Sequence, residues 1–503
     1  MLNRIPNLMM LALLAFGVVA QATASQPNIL LILTDDQGWP TLGRYGGKNV
    51  PTPHLDQLAA EGARFTDAYV TSQCTPTRAT ILTGQYTARN RMWHVVGWYG
   101  LPWAPMQERP FVEHLPRDAF TLAKGLKSVG YATGIMGKWH LTNNDDGHYM
   151  GLKPEAAHHY GFDHAPPVLP RSEFKEGNDR GVDELTDQAI DFIATNRDSP
   201  WFCFLSHHTI HGVVVAPDAL TRKYRRLGHG DNGYNKAVYL AALEHLDRSI
   251  GRLMAKLQEL DETAETLVVF LSDNGGINER LEHRSMALPH PDAPKLPVNL
   301  REYDNAPLRA GKGSVYEGGV WVPMIVRWPG RVAAGTVIAT PVHGIDLAPT
   351  FFAAAGVELP EAHILDGVSL LPLLQGKPPG ALASRSLHQY MPFYDLNWGL
   401  TPCASIRRGD FKLIEFFGDR FDADNQYRPG NRIELYNLRD DIGESRNLAQ
   451  ADPRRTDQLR RRLHQWMRDL GVGPTGPNPH HEPNRAFLTV NKKPEWLRNR
   501  GNR

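Results

Sequence analysis

The residues of this chain best suited to chemistry stand in short polar clusters, each closing an apolar run. Asp35 and Asp36 follow "NILLILT" (28–34), and Asp273 and Asn274 follow "TLVVFLS" (266–272); each pair leads into a glycine-containing turn, "DDQG" or "DNGG". Three carboxylates and an amide, with no histidine or cysteine in either set, suit a hard cation, Ca2+ or Mg2+, far better than zinc. Either pair alone would read as a turn or helix cap, which Asp and Asn make routinely. Two such pairs on two core strands point instead to a metal. Cys74 lies in "SQCTPTRATILTG" (72–84), before Pro76 and a run that ends at Gly84. That spacing predicts a helix N-terminus, where backbone amides and Arg78 form a positive pocket for an anion. A thiolate would be favoured there, yet a cysteine hydrolase wants a histidine base and has no use for a cluster of hard oxygens. Lys138 and His140 in "GKWH", and Lys312 in "LRAGKGSVYEGG", add donors and a proton-transfer group. "GKGS" lacks the spacing of a phosphate-binding P-loop. His207, His208 and His211 in "SHHTIH" are three further candidates, among which the sequence does not choose.

For these clusters to meet, the elements that carry them must end on one side of the molecule. The runs 28–34, "YATGIM" (131–136), "WFCFLS" (201–206), 266–272 and "PMIVRW" (323–328) lack polar alternation, which predicts strands buried on both faces of a mainly parallel sheet. In such a sheet the carboxyl ends of the strands form the binding crevice. Helices fill the gaps. "TPHLDQLAAEG" (52–62) has Thr52 as a cap, Pro53 in the first turn and Gly62 as a stop, and residues 236–260 set Tyr239, Ala242, Leu243, Leu246, Ile250, Leu253 and Leu257 on one side. The expected fold is therefore α/β, a large mainly parallel sheet flanked by helices.

Composition shifts at "LLQGKPPGALASRS" (373–386). Beyond it "FKLIEFF" and "IELYNL" predict a smaller C-terminal antiparallel sheet, and Asp452-Pro453 opens a helix that Gly471 stops. The expected organisation is an export signal over 1–24, a catalytic domain over 25–375, a small-sheet subdomain over 376–475 and a tail over 476–503. The signal reading rests on an early arginine, an apolar run shorter than the ~20 residues of a spanning helix, and Ala22-Thr23-Ala24 as a cleavage site. It predicts a periplasmic or extracellular protein with no membrane attachment after cleavage; an uncleaved anchor is the lesser alternative. A formal net charge of +1 with 41% hydrophobic residues argues against both disorder and a surface made to coat nucleic acid. Three cysteines do not make a disulfide scaffold; Cys203 and Cys403 are left either to pair or to stay as buried thiols.

"CTPTRATILTG" resembles the Cys-x-Pro-x-Arg signature of the sulfatase family, within the alkaline phosphatase superfamily, and "GYATGIMGKWH" resembles its second signature. "NILLILTDDQG", "VVFLSDNGG", "PLRAGKGSVYEGGVWVPMIVRWPG", "IDLAPTFFAAAG", "LDGVSLLPLL", "RRGDFKLI" and "ELYNLRDDIGESRNLA" continue the match in family order from about residue 27 to about 450. The resemblance implies an alkaline-phosphatase-like fold and a sulfuric ester hydrolase. It implies that a maturation enzyme oxidises Cys74 to formylglycine (3-oxoalanine), whose hydrate attacks sulfur. It further implies that Asp35, Asp36, Asp273 and Asn274 hold Ca2+, or Mg2+, beside position 74, and that Arg78 steadies the hydrate. Lys138, His140 and Lys312 would contact the sulfate, and His211 or His140 would protonate the leaving oxygen. The chain departs from the family at "TIHG", where Pro-His-x-Pro is common, at Gln73 and Gln85 flanking the signature, and at Trp321, where many relatives carry arginine at the expected pocket edge. Two stretches are candidates for selecting the substrate. The aromatics of "RMWHVVGWYGLPWAP" (91–105) would either stack on sugar rings or anchor a loop, and 278–304 must have its ends near the crevice. The expected substrate is a sulfated saccharide or small sulfate ester. The alternatives are a phosphate or phosphonate ester hydrolase and a non-catalytic binder of sulfated glycans.

Overall fold

The computed structural model describes residues 26–97, 100–281 and 298–488. The expected signal (1–24), Trp98 and Tyr99 of the aromatic stretch, the middle of 278–304 and the end of the tail lie outside the described residues.

In chain order the main body comprises β1 (Asn28–Thr34), α1 (Pro53–Glu61), β2 (Ala63–Tyr69), α2 (Cys74–Thr83), β3 (Ala132–Gly137), α3 (Val182–Asn196), β4 (Trp201–Ser206), α4 (Ala237–Glu259), β5 (Thr266–Ser272), β6 (Trp321–Arg327), β7 (Thr336–Ile338), β8 (Val342–His343) and α5 (Leu347–Ala355). The eight strands form one sheet in the order β7-β2-β6-β5-β1-β4-β3, with β8 also paired to β2. β1 lies parallel between β4 and β5, with Leu31 opposite Phe204 on one side and Val269 on the other. Only β6 runs against its neighbours, antiparallel to both β2 and β5. The sheet is thus mixed as well as mainly parallel, and "PMIVRW", expected among the parallel strands, is the reversed one.

The uninterrupted apolar runs follow from burial on both faces. Ile29, Leu31 and Leu33 pack with α2 and α5 through Ala79, Ile81, Leu82, Phe351 and Phe352. Leu30 and Ile32 pack oppositely, on Leu58 of α1, Leu185 and Phe192 of α3, and Leu246, Ile250, Leu253 and Leu257 of α4. At roughly 1.5–3 kcal/mol for each fully buried large aliphatic side chain, a polar residue within β1 would be strongly selected against. β2 was not anticipated: its burial pattern is irregular, with Arg64, Thr66 and Asp67 only partly covered, so "ARFTDAY" carries no clean strand signal. Thr52 does not cap α1. Its hydroxyl instead accepts from the Gly43 amide, 3.0 Å away, and Pro53 opens the helix without a side-chain cap.

A second sheet of β9 (Leu387–Met391), β10 (Cys403–Arg408), β11 (Phe411–Phe416) and β12 (Arg432–Asn437) is antiparallel throughout. Its first two strands were not foreseen. It is backed by α6 (Pro453–Asp469), with Leu459, Leu463 and Met467 turned into the same core. Asp452 caps α6 as expected, accepting from the Arg455 amide at 3.1 Å, and Gly471 follows in the left-handed conformation. Cys203 and Cys403 are both buried free thiols, in separate cores. Among the described residues no helix is long and apolar enough to cross a membrane.

Candidate active site

Because β1 and β5 pair in register with Thr34 opposite Ser272, the residues that follow each strand emerge side by side at the carboxyl edge. The Asp36 amide donates to Asp273 Oδ1 at 3.2 Å, and Asn274 Nδ2 donates to Asp36 Oδ1 at 2.8 Å. Asp35, Asp36, Asp273 and Asn274 are all buried. Reversal of β6 brings its preceding loop to the same edge, and with it Lys312. The "DNGG" turn and that loop touch so closely that a Cβ on Gly275 would lie 1.8 Å from the Gly318 carbonyl oxygen, and one on Gly311 2.3 Å from that of Gly276.

Cys74 is the first residue of α2, as its spacing predicted, and Arg78 lies four residues on, on the same helix face. Cys74 Sγ is 3.4 Å from Asp35 Oδ1 and 3.9 Å from Asp36 Oδ1. Lys312 Nζ reaches both Cys74 Sγ, at 3.4 Å, and Asp36 Oδ2, at 2.8 Å. Lys138 Nζ lies 2.5 Å from Asp35 Oδ2. Arg78 donates from Nε and Nη2 to Asp273 Oδ2, at 3.1 and 2.8 Å, and from Nη1 to the Lys138 carbonyl and Ser206 Oγ. Three buried carboxylates therefore face three buried cations.

The histidines divide. His211 comes to the cluster, with Nε2 3.9 Å from Asp36 Oδ2 and 34% of its side chain open to solvent. His207 and His208 are fully buried, and His208 packs edge-on against Phe174. His140 is buried in a left-handed turn, its Nδ1 has no partner among the described residues, and its carbonyl accepts from Thr75 Oγ1 of α2 at 2.7 Å.

Electrostatics follow this packing. Burial opposes ionisation of Asp35, but Lys138, then His211 and Lys312, hold its carboxyl well below the usual carboxylate range. Asp273 is pushed up to about 6 by burial and by Asp35. Burial, reinforced by Asp273 and Asp35, drives the Cys74 thiol up. Burial first, and then these carboxylates, work against the thiolate that a helix start alone would favour, in line with the poor fit of ordinary cysteine hydrolase chemistry. Lys312 is held above its ordinary value by the charges of Asp36 and Asp35 despite its burial. His211 is drawn down to about 4 by burial and by Lys312, and His140 lies well below its ordinary range through burial, Lys138 and Arg78.

These groups fit a hard divalent ion. Ligand atoms of Asp35, Asp36, Cys74 and His211 lie within 4.8 Å of one another. Asn274 Oδ1, a buried carbonyl oxygen beside this cluster, has no donor among the described residues, and a cation coordinated by oxygen would supply its missing partner.

Several contributors were not singled out from the sequence. Ser206 closes an apolar strand as Asp35 follows one, a signal that was available. Arg180 holds the histidine loop by donating to the His208 and Val213 carbonyls at 3.1 and 2.5 Å, and nothing periodic marks it. Gln73, flagged only as unusual, donates at 2.8 Å to Asp395 of the C-terminal region, tying it to the start of α2. Trp321 is buried: it stacks on Tyr69, and its indole N–H donates to the Thr66 carbonyl. In the aromatic stretch, Trp93 is buried edge-on against Tyr390, and Arg485 lies over Trp103, which favours loop anchoring for both. A cavity of about 1250 Å3 lined by His54, Gln57 and Arg327 lies at the opposite edge of the sheet, away from this chemistry.

Comparison with known proteins agrees with this geometry. Residues 27–357 match the sulfatase family model, and residues 311–472 match the C-terminal model of N-sulphoglucosamine sulphohydrolase. Arylsulfatase A of Bos taurus is 32% identical over 476 residues, covering 86% of this chain and 85% of that one. N-acetylgalactosamine-6-sulfatase of Rattus norvegicus is 32% identical over 402 residues, covering 74% and 70%. The crystal structure of Ps i-CgsB in complex with k-i-k-neocarrahexaose superposes with a TM-score of 0.67 at 25% identity, covering 88% of this chain and 93% of that one.

Proposed function

The chain belongs to the sulfatase family and is a sulfuric ester hydrolase, and we propose that it acts after export on sulfate esters of carbohydrates, through an oxidised Cys74 and a divalent ion held by Asp35, Asp36, Asp273 and Asn274. The observation that carries this reading is the convergence of Cys74 Sγ on Asp35 and Asp36, residues that arrive from a different strand. Formylglycine, made from Cys74 by a maturation enzyme, supplies a hydrated aldehyde, one hydroxyl for attack on sulfur and a second to release sulfate. The ion, Ca2+ or Mg2+, supplies Lewis-acid polarisation of a sulfate oxygen.

The protein's own groups account for the rest. Arg78, fixed by four hydrogen bonds, holds Asp273 and orients the first turn of α2. Lys138 and Lys312 present ammonium groups where sulfate oxygens would collect charge, and burial keeps water from weakening them. His140 lines the same pocket. His211, the more open of the two histidines, has Nδ1 2.6 Å from the Gly212 carbonyl; a carbonyl only accepts, so Nδ1 carries the ring proton of the neutral imidazole, and Nε2 would deliver a proton to the leaving oxygen only after taking one up. Carbohydrate substrates are supported by the relatives, one named for N-acetylgalactosamine 6-sulfate and one solved with a carrageenan-type oligosaccharide.

The test is sulfate release from a panel of sulfated saccharides and a small aryl sulfate, run beside matched phosphate esters, with intact mass read on the same preparation from a host that carries a maturation enzyme. Turnover of sulfate esters with an oxidised position 74 is expected. Turnover with an unmodified thiol would overturn the formylglycine reading, a phosphate preference would favour the phosphatase alternative, and binding without turnover would favour the glycan-binding one.

A further inference from the structure

Glu302 follows the short strand Val298–Arg301 and is only 3% exposed. Its Oε2 has no donor and its carboxylate no ion pair among the described residues. Burying an unpaired carboxylate costs several kcal/mol, so something that is not part of the fold is expected to approach it. The route is visible at Gly212, beside His211. A Cβ placed on Gly212 would lie 3.2 Å from Glu302 Oε1 and within 4 Å of no other atom outside its chain neighbours. The space left by that missing side chain is open and at hydrogen-bond distance from the carboxylate. Gly212 is half-buried, and the following Val213 is 77% exposed, so this space lies toward solvent.

The surroundings narrow the ligand. Lys312, Lys236 and Arg280 act on Glu302 electrostatically, offsetting part of the rise that burial and Asp36 impose. Burial and Asp36 outweigh those cations and push the carboxyl up to about 7, so a neutral hydroxyl, able to donate to the carboxylate or accept from the acid, suits it. Trp398 lies against two of the same cations, its ring 5.5 Å from Lys312 Nζ and 6.0 Å from the Arg280 guanidinium, an amphipathic face of the kind that packs against a pyranose ring.

We propose that Glu302, reached across Gly212, is a specificity-determining residue that accepts a hydrogen bond from a ring hydroxyl of the sugar bearing the sulfate, with Trp398 flanking the same ring. This rests on the sulfate-ester reading of the adjacent centre and goes beyond it by assigning the leaving-group side. The competing role is structural: Tyr239 also has a hydroxyl without a partner and feels the charge of Glu302, so a water shared between them would make the carboxylate part of the core.

The test compares Glu302→Gln, Glu302→Ala and Gly212→Ala with wild type on monosulfated methyl hexosides, on their monodeoxy analogues and on a small aryl sulfate. The preference for hexoside over aryl sulfate, as a ratio of kcat/KM, is expected to fall about ten- to hundredfold in Glu302→Ala and Gly212→Ala, the range of a hydrogen bond to a charged group, and less in Glu302→Gln, which keeps an acceptor. For the analogue lacking the recognised hydroxyl, wild type should already show the loss and the variants should add none. Equal losses on both substrate classes, or losses that add on the deoxy analogue, would overturn the proposal. Failure of wild type to hydrolyse the aryl sulfate and every hexoside is a separate readout; it would overturn the reading of the catalytic centre and this proposal with it.

Discussion

Lys312→Met removes a charge from the centre while keeping the aliphatic stem. The ammonium has two tasks that separate by assay. It neutralises Asp36 at 2.8 Å, and it stands 3.4 Å from the sulfur of Cys74, where a sulfate oxygen would lie. In chelator-treated protein the variant leaves a buried carboxylate without its counter-charge, which costs about 3–5 kcal/mol. With an unfolding entropy of about 2.1 cal/mol/K per residue, the 503 residues give about 1 kcal/mol/K, so the melting temperature should fall by about 3–5 °C. In Ca2+-loaded protein the ion takes over that carboxylate, and most of the fall should vanish. Catalysis should behave oppositely: kcat/KM on an aryl sulfate should drop about 10²–10³-fold even with Ca2+ present, the usual penalty for one lost transition-state donor. Differential scanning fluorimetry with and without ion, beside steady-state kinetics, reads both. The same melting deficit in both metal states, or a kinetic loss below tenfold, would refute the reasoning.

Chelation should abolish turnover, and titrating Ca2+ or Mg2+ back should raise stability by about 2.7 kcal/mol at a hundredfold excess over Kd; Asn274→Ala should shift that titration to higher ion concentration, and an unchanged midpoint would remove Asn274 from the ligand set. Asp419, pushed up to about 7 by burial against the pull of the Tyr394 and Tyr427 hydroxyls, holds its proton in the fold over a range where the unfolded chain has released it. Its contribution is therefore complete below about pH 4 and is lost as pH rises toward about 7, at up to about 1.4 kcal/mol per unit. Denaturant melts of Asp419→Asn should lack that part of the slope, and parallel curves for variant and wild type would contradict it. Gln73→Ala should cost about 1–3 kcal/mol by leaving Asp395 with one partner fewer in a buried setting, a loss measurable in the same melts.

What could be read beforehand follows from where burial is complete. β1, β4 and β5 are covered on both faces, so their composition alone marks them, and the first polar residues beyond β1 and β5 are Asp35 and Asp273. Arg78 was legible because a helix brings residues four apart to one face. The direction of a strand leaves no such trace: "PMIVRW" is as apolar as its neighbours, and only its pairing reveals the reversal that delivers Lys312. Among His207, His208 and His211 the choice depends on the path of a loop clamped by Arg180, a long-range contact that local spacing cannot encode. The state of the Cys74 thiol was illegible for a related reason, since amides at a helix start are local, whereas the burial and the opposing carboxylates come from remote elements.

All ten residues of α2 are buried, and Cys74 itself is 1% exposed. A second protein would have no room to close around that sulfur once the sheet is in place. On the proposed reading, conversion of the side chain would have to precede closure, while the segment is still extended and free to lie in another enzyme's groove. A molecule that folded first would then keep its unreacted cysteine, and abundance of the folded protein and abundance of the competent protein would become separate quantities, set by a race during biosynthesis.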